Sequence, residues 1–371
     1  MMKTVCISDS IVSPLGLTVA ENFSAVMSGK SGVTRHEGTF GVPEPFMASL
    51  LDREAIGAEA CRRGIRDLNL FETVQTLSIE DAARGVDLTS PRTGIIISSI
   101  KGNVEAIGTD PTEVPISASA QRIAAHFGNP NTPLVVSNAC ISGLTALIHA
   151  RRLLLSGRYD TVVVAGAEVQ SKFIVSGFQS LKALSPNPCK PFDAARDGLN
   201  LGEAAATMVL TLADDGPWEL VEGATRNDAN HISGPSRVGE GSYNALRYAL
   251  RGCDPSEVAF INVHGTSTLY NDEMESIAID RAGMTGTPVN ALKAYYGHTM
   301  GAAGILESII SMRAVEAGVI LPTLGFETLG VSRPVNVSNA MRTTDKTSFV
   351  KLLSGFGGCN AAMLFRKGGQ R

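Results

Sequence analysis

Short runs rich in valine and isoleucine recur along the chain, at residues 94–97, 133–136, 161–165, 257–263 and 346–353, set between glycine-rich turns and amphipathic stretches. Runs that are largely apolar rather than strictly alternating predict strands buried on both faces of an α/β protein. Residues 141–156 carry Leu144, Leu147, Ile148 and Leu154 with Arg151 and Arg152 nearby, and Gly157 follows as a helix stop. Residues 301–317 predict a second helix, made of small residues and ended by Gly318. Residues 102–118 cluster Gly, Pro and Ser and predict a loop. A weak two-fold pattern is visible, because a reactive residue stands just after a buried run in each half: Cys140 after 134–136 and His264 after 260–263. The turn-rich Asp214, Gly216 and Pro217 mark the expected boundary between halves 1–213 and 214–371.

Composition narrows this picture. At 371 residues and 44% hydrophobic the chain can bury a large core, and the length prior is about two units of ~150 residues. Aromatics make up only 5% while glycines number 38, as suits helices lying close on a sheet. A net charge of −4 without a basic block argues against nucleic acid and anionic membrane as partners. None of the six cysteines forms a CxxC pair or has a His at metal-ligand spacing, so no metal site, no disulfide framework and a reduced, cytoplasmic setting are expected. The opening MMKTVCISDSIVSPLG has one Lys and an apolar run broken by Asp9, too little for a signal peptide. No stretch approaches the ~18 apolar residues of a membrane span.

Four segments could carry chemistry. In Val135-Val136-Ser137-Asn138-Ala139-Cys140-Ile141-Ser142-Gly143 a strand ends and a helix begins near the cysteine, where free N–H groups and the helix dipole would lower the thiol pKa. A buried structural cysteine would look the same. In Asn262-Val263-His264-Gly265-Thr266-Ser267-Thr268 an imidazole follows a strand beside three hydroxyls, and Asp272 and Glu275 come next as i,i+3 carboxylates on a helix face. Lys293-Ala294-Tyr295-Tyr296-Gly297-His298-Thr299-Met300-Gly301 places His298 at the positive end of a helix, which disfavours imidazolium. Glu307 follows nine residues later. Ser354-Gly355-Phe356-Gly357-Gly358-Cys359-Asn360 is either a turn whose N–H groups can face an oxyanion or a plain glycine hairpin.

In this order and at these separations the segments resemble the β-ketoacyl synthase family of condensing enzymes, the elongating Cys-His-His type of the thiolase-like superfamily. The likeness runs from residues 5–16, which end in Ser13-Pro14-Leu15-Gly16, to the final glycine-rich turn. It includes Pro191-Phe192-Asp193-Ala194-Ala195-Arg196-Asp197-Gly198, similar to the family's PFDxxRDG, with Arg196 and Asp197 expected to pair. The resemblance implies an α/β thiolase-like fold, two similar halves forming a five-layer α-β-α-β-α sandwich. It implies Cys140 as nucleophile and His264 and His298 as catalytic histidines, with Lys293 giving them electrostatic support beside Glu307. The backbone N–H groups of Cys140 and Phe356 would form an oxyanion hole, Thr266 and Thr268 would contact a pantetheine arm, and Phe356 would gate the site. It further implies decarboxylative Claisen condensation of an acyl-Cys enzyme with malonyl-acyl carrier protein. No bound cofactor is implied; the phosphopantetheine arm of acyl carrier protein is the substrate carrier, and that protein the partner. A dimer is expected, either a homodimer or a heterodimer with a related subunit.

The chain departs from the family pattern at Ser354, where a second Phe is common, Cys359 for Thr, Ala204 for Gly and Leu199 for Phe. These changes bear on acyl-chain choice and suggest a specialised relative serving polyene or aryl-lipid synthesis. Two other readings compete. A thiolase would use Cys, His and a second Cys such as Cys359, but His264 in an HGT loop and Lys293 before GHTMG favour a decarboxylating synthase, and a starter enzyme would have Asn in place of His264. A non-catalytic chain-length-factor subunit would usually lack the nucleophile. His231 is expected near substrate; His36, His126 and His149 are read as structural.

Overall fold

The computed structural model describes residues 2–228 and 230–369, so Met1 of the opening stretch and residues 370–371 of the second half lie outside it. The predicted apolar runs are strands. The first half contributes β1 (Lys3–Val12), β2 (Thr93–Ser98), β3 (Leu134–Val136), β4 (Thr161–Glu168) and β5 (Ala204–Ala213), in the sheet order β3-β2-β4-β5-β1. The second contributes β6 (Trp218–Asn227), β7 (Val258–Asn262), β8 (Pro288–Asn290), β9 (Ser348–Gly355) and β10 (Cys359–Lys367), in the order β8-β7-β9-β10-β6, with Asn336–Val337 added beyond β8. In both sheets the first three strands run parallel and the last two antiparallel. The two meet at β1 and β6, where Val5 pairs with Glu219 and Cys6 with Trp218.

Both faces of each sheet are covered, which is why the runs do not alternate with polar residues. In β2, Ile95 and Ile97 point to an outer layer with Ile79 of α1 (Leu70–Ala82) and Ile123 of α2 (Ile116–His126). Ile96 between them faces inward to α3 (Ser142–Leu155). In the second sheet Val350 and Leu352 meet α4 (Glu240–Ala249) and α5 (Leu269–Arg281), whereas Phe349 and Leu353 turn to α6 (Ala303–Glu316). The result is the five-layer thiolase-like sandwich, with α3 and α6 as its middle layer. The expected loop at 102–118 contains two 3-10 turns, Val104–Ala106 and Pro111–Glu113, and the start of α2.

The two-fold is real, but the sequence pairs the wrong residues across it. Cys140 follows β3, whose counterpart is β8, so its structural partner is the Lys293–His298 segment leading into α6. His264 follows β7, the counterpart of β2. The equivalent helices α3 and α6 approach main chain to main chain at glycines. A Cβ on Gly304 would lie 2.4 Å from the Leu144 backbone nitrogen, and one on Gly143 would lie 2.7 Å from the Gly301 carbonyl oxygen.

Gly304→Ala tests this crossing. Helix propensity would favour alanine by about 1 kcal/mol, but a methyl pressed on main chain cannot be relieved by rotating a side chain, and overpacking costs about 1–3 kcal/mol. The clash wins, so a net loss of about 1 kcal/mol is expected as a lowered urea midpoint; an unchanged or raised midpoint would sink the account.

Candidate active site

Cys140 sits on an elbow between β3 and α3. Ala139 adopts a left-handed φ of 44°, and Ser142 ties the turn by accepting from the Asn138 N–H at 2.7 Å and donating to the Ala139 carbonyl. The Gly355 backbone presses against the elbow, since a Cβ there would be 3.1 Å from the Cys140 nitrogen. The predicted low thiol pKa does not follow. Burial pushes the Cys140 thiol up to about 12, Cys359 and Glu168 add to the rise, and Lys293 and the Phe356 N–H only partly oppose it. The helix start is present, but Cys140 is only 6% exposed, and desolvation of an anion outweighs a terminal dipole.

His264 and His298 complete the cluster. Sγ of Cys140 and one ring nitrogen of each histidine all lie within 4.8 Å of one another. The imidazoles stand edge to face, centroids 5.0 Å apart at 79°. Burial first, then the Lys293 charge, holds both well below the ordinary histidine range, so both are neutral at pH 7. In His298 the Met300 N–H donates to Nδ1 at 3.2 Å, which puts the ring proton on Nε2. That Nε2 is buried and has no partner, leaving a donor in search of an oxygen. Among the described residues this trio is also the only group placed to hold a metal ion.

Asp272 and Glu275 hold the His264 loop. Glu275 accepts from the His264 and Gly265 N–H groups, both at 2.7 Å, and Asp272 accepts from Thr266 N–H at 3.1 Å and Phe192 N–H at 2.7 Å. Burial raises Asp272 to about 6 and Glu275 to about 7. Beneath the histidines, Lys293 Nζ donates to Glu307 Oε1 at 2.7 Å as a buried pair. The sequence reading missed the third member. Lys351 Nζ donates to Glu307 Oε2 at 2.6 Å from the other side. A lone lysine inside the apolar strand SFVKLLSG was the available signal.

The cluster opens into a cavity of about 770 Å³ whose lining includes Thr266, Thr268, His231, Leu199, Ser354 and Phe356. The Thr266 and Thr268 hydroxyls are 2.9 Å apart. Phe356 is at the turn of the β9–β10 hairpin, and its ring stacks on Phe178 at 6.0 Å. Cys359 Sγ points to the Phe356 and Asn138 carbonyls at 3.3 and 3.7 Å and is not part of the cavity lining. The expected Arg196–Asp197 pair does not form. Arg196 donates to the Asp193 and Gly330 carbonyls and lies 3.9 Å from Asp272, because its chain turns inward while Asp197 faces the cavity. Of the remaining histidines, His36 bonds Thr34 and the Ala48 carbonyl, His126 lies 3.6 Å from Glu80, and His149 is half-buried.

Since the folded thiol titrates far above its ordinary 9, thiolate is scarce at neutral pH and grows as pH rises. Iodoacetamide alkylation of Cys140 should therefore accelerate roughly tenfold per pH unit from 7 to 9.5. A plateau below pH 8 would show a depressed pKa instead.

Residues 83–215 match the family described as "Beta-ketoacyl synthase, N-terminal domain", and residues 219–327 its C-terminal domain. The "3-oxoacyl-(acyl-carrier-protein) synthase 2" of Vibrio cholerae is 29% identical over 413 aligned positions, covering 98% of this chain and 99% of that one. A β-ketoacyl synthase from Burkholderia phymatum superposes with a TM-score of 0.89 at 26% identity, over 99% of this chain and 100% of that one. A chain from the complex of a ketosynthase with its chain length factor from Xenorhabdus doucetiae gives 0.88 at 22% identity, over 99% and 98%.

Proposed function

The chain belongs to the β-ketoacyl synthase family, and we propose that it joins an acyl group to malonyl-acyl carrier protein by decarboxylative Claisen condensation, through Cys140, His264 and His298. The observation that carries this is a thiol and two neutral imidazoles within 4.8 Å at the end of a cavity, one imidazole holding an unpartnered N–H. In the first half-reaction Cys140 Sγ bonds to the carbonyl carbon of a carrier-protein thioester. The oxyanion is held by the Cys140 and Phe356 N–H groups. The carbon–sulfur bond to the carrier arm then breaks, and the departing sulfur takes up the proton that Cys140 loses. A thiol this hard to ionise loses its proton as it attacks, not beforehand.

In the second half-reaction the malonyl carbon–carboxylate bond breaks, CO2 leaves, and the electron pair moves onto the thioester oxygen as an enolate. The N–H groups of His264 and His298 receive that oxygen, and Lys293 beside Glu307 sets their field. The enolate carbon attacks the acyl-Cys140 carbonyl, a carbon–carbon bond forms, and the Cys140 thiolate departs and is reprotonated. Thr266 and Thr268 contact the pantetheine arm, Phe356 gates it, and Asp272 and Glu275 support the loop. The arm is a substrate carrier rather than a resident cofactor.

We place the protein in the cytoplasm, in fatty acid or related polyketide or aryl polyene synthesis, with functional halves 1–213 and 214–371. No described helix is long and apolar enough to cross a membrane, and the six cysteines are unpaired. The free edge of β3, which bonds only to β2 and leaves Leu134 42% exposed, supports a homodimer joined there. A mass near twice 38.9 kDa by light scattering is expected; a monomer that assembles only with a related subunit would replace this with a heterodimer.

The direct test is intact and peptide mass after incubation with a panel of acyl carrier proteins. An acyl adduct on the Cys140 peptide, absent in Cys140→Ala, is expected; no adduct from any acyl group would demote the chain to a non-catalytic subunit. His298→Ala should still acylate while CO2 release from malonyl carrier protein falls by about 10²–10³-fold. Equal loss of both steps would remove His298 from the decarboxylation role.

A further inference from the structure

Lys351 is fully buried in the middle of β9, a strand that is otherwise apolar around it. Its ammonium is surrounded by four oxygens: the Asn262, Val263 and Leu352 carbonyls at 3.3, 3.0 and 3.3 Å, and Glu307 Oε2 at 2.6 Å. Val263 is the residue immediately before His264. Glu307 is already neutralised by Lys293, so a second lysine is not needed to satisfy it. Two ammonium groups share the one carboxylate they both touch, which leaves that ion cluster with a surplus positive charge. Burying such a charge is expensive unless something benefits from it.

We propose that Lys351 is a positioning residue for the decarboxylation half-reaction: it fixes the carbonyl end of β7 from which His264 projects, and it supplies the surplus positive charge beneath the oxygen on which the enolate develops. Neutral imidazoles donate hydrogen bonds but carry no charge. A cation one layer below them favours movement of the electron pair onto the thioester oxygen, in surroundings too dry to screen it. Lys293, Glu307 and, farther off, Glu275 are the charged groups that face Lys351. The acylation step uses different donors, the Cys140 and Phe356 N–H groups, so the two half-reactions should respond differently.

This inference rests on the condensing reading above, and the experiment separates the two. Lys351→Met keeps the volume and leaves a neutral Lys293–Glu307 pair; Lys351→Gln keeps a donor for the carbonyls without the charge. Each is made in the full-length protein and checked by thermal unfolding, the Gln variant serving if the Met variant does not fold. Acyl transfer to Cys140 is followed by mass, and CO2 release from malonyl carrier protein is followed in a Cys140→Ala background. Expected is a fall of at least thirtyfold in kcat for CO2 release, KM within threefold, and acyl transfer within threefold of the unsubstituted enzyme. Equal losses in both half-reactions would make Lys351 a structural residue, and no loss in either would make it a spectator; both overturn the proposal. If the unsubstituted protein neither acylates nor releases CO2, the condensing reading itself falls and takes this inference with it.

Discussion

Helices α3 and α6 touch backbone to backbone at Gly143 and Gly304, and the rest of the molecule is arranged around that contact. Helices that cross through side chains stand about 8–10 Å apart. Here glycine removes the spacer, so the segments entering the two helices are drawn together. Cys140 enters α3 and His298 enters the 3-10 turn before α6. The pseudo-two-fold that relates the halves thus brings two different helix entrances to one point. The two entrances carry different residues, a thiol on one side and an imidazole on the other.

Bringing reactive groups to the centre of a five-layer body removes them from water, and burial then dictates their charge. It drives the thiol up and the imidazoles down, so the resting cluster is neutral. Charge is kept one layer deeper, in Lys293, Glu307 and Lys351, where each ionised group has a partner. Asp272 and Glu275 show the complementary solution. Their oxygens accept main-chain N–H groups of the His264 loop and of Phe192, and so convert potential catalytic carboxylates into scaffolding. A dry neutral site above two lysines that share one carboxylate favours reactions in which negative charge appears only transiently.

Much of this was legible in sequence because it rests on local signals. Unbroken apolar runs announced strands covered on both faces, and β2, β4 and β7 lie where those runs are. The cysteine elbow, the HGT loop and the GHTMG entrance are short contiguous segments, and the structure brings their reactive residues together. What failed depends on contacts distant in sequence. Whether Cys140 gains more from a helix start than it loses by burial is decided by how much protein covers it. Arg196 and Asp197 are adjacent and of opposite sign, yet the backbone turns them to different surroundings. Lys351 is 44 residues from Glu307, and only the packing of β9 on α6 joins them.

The same division separates chemistry from substrate choice. Groups proposed to make and break bonds are held by main chain: an elbow at Ala139, a loop tied by two carboxylates, and a ring locked by the Met300 N–H. Such restraints tolerate little change. Leu199 and Ser354, by contrast, line the cavity, and both are smaller than the phenylalanines that the family pattern commonly places there. Ser354 spends its hydroxyl on Asn271 Oδ1 at 2.7 Å, so the volume given up by a ring is not refilled by a flexible group. Both positions line the same cavity as Cys140 but belong neither to the elbow nor to the histidine pair. Room for the acyl group can therefore drift with the lining while the reaction stays fixed by the helix crossing.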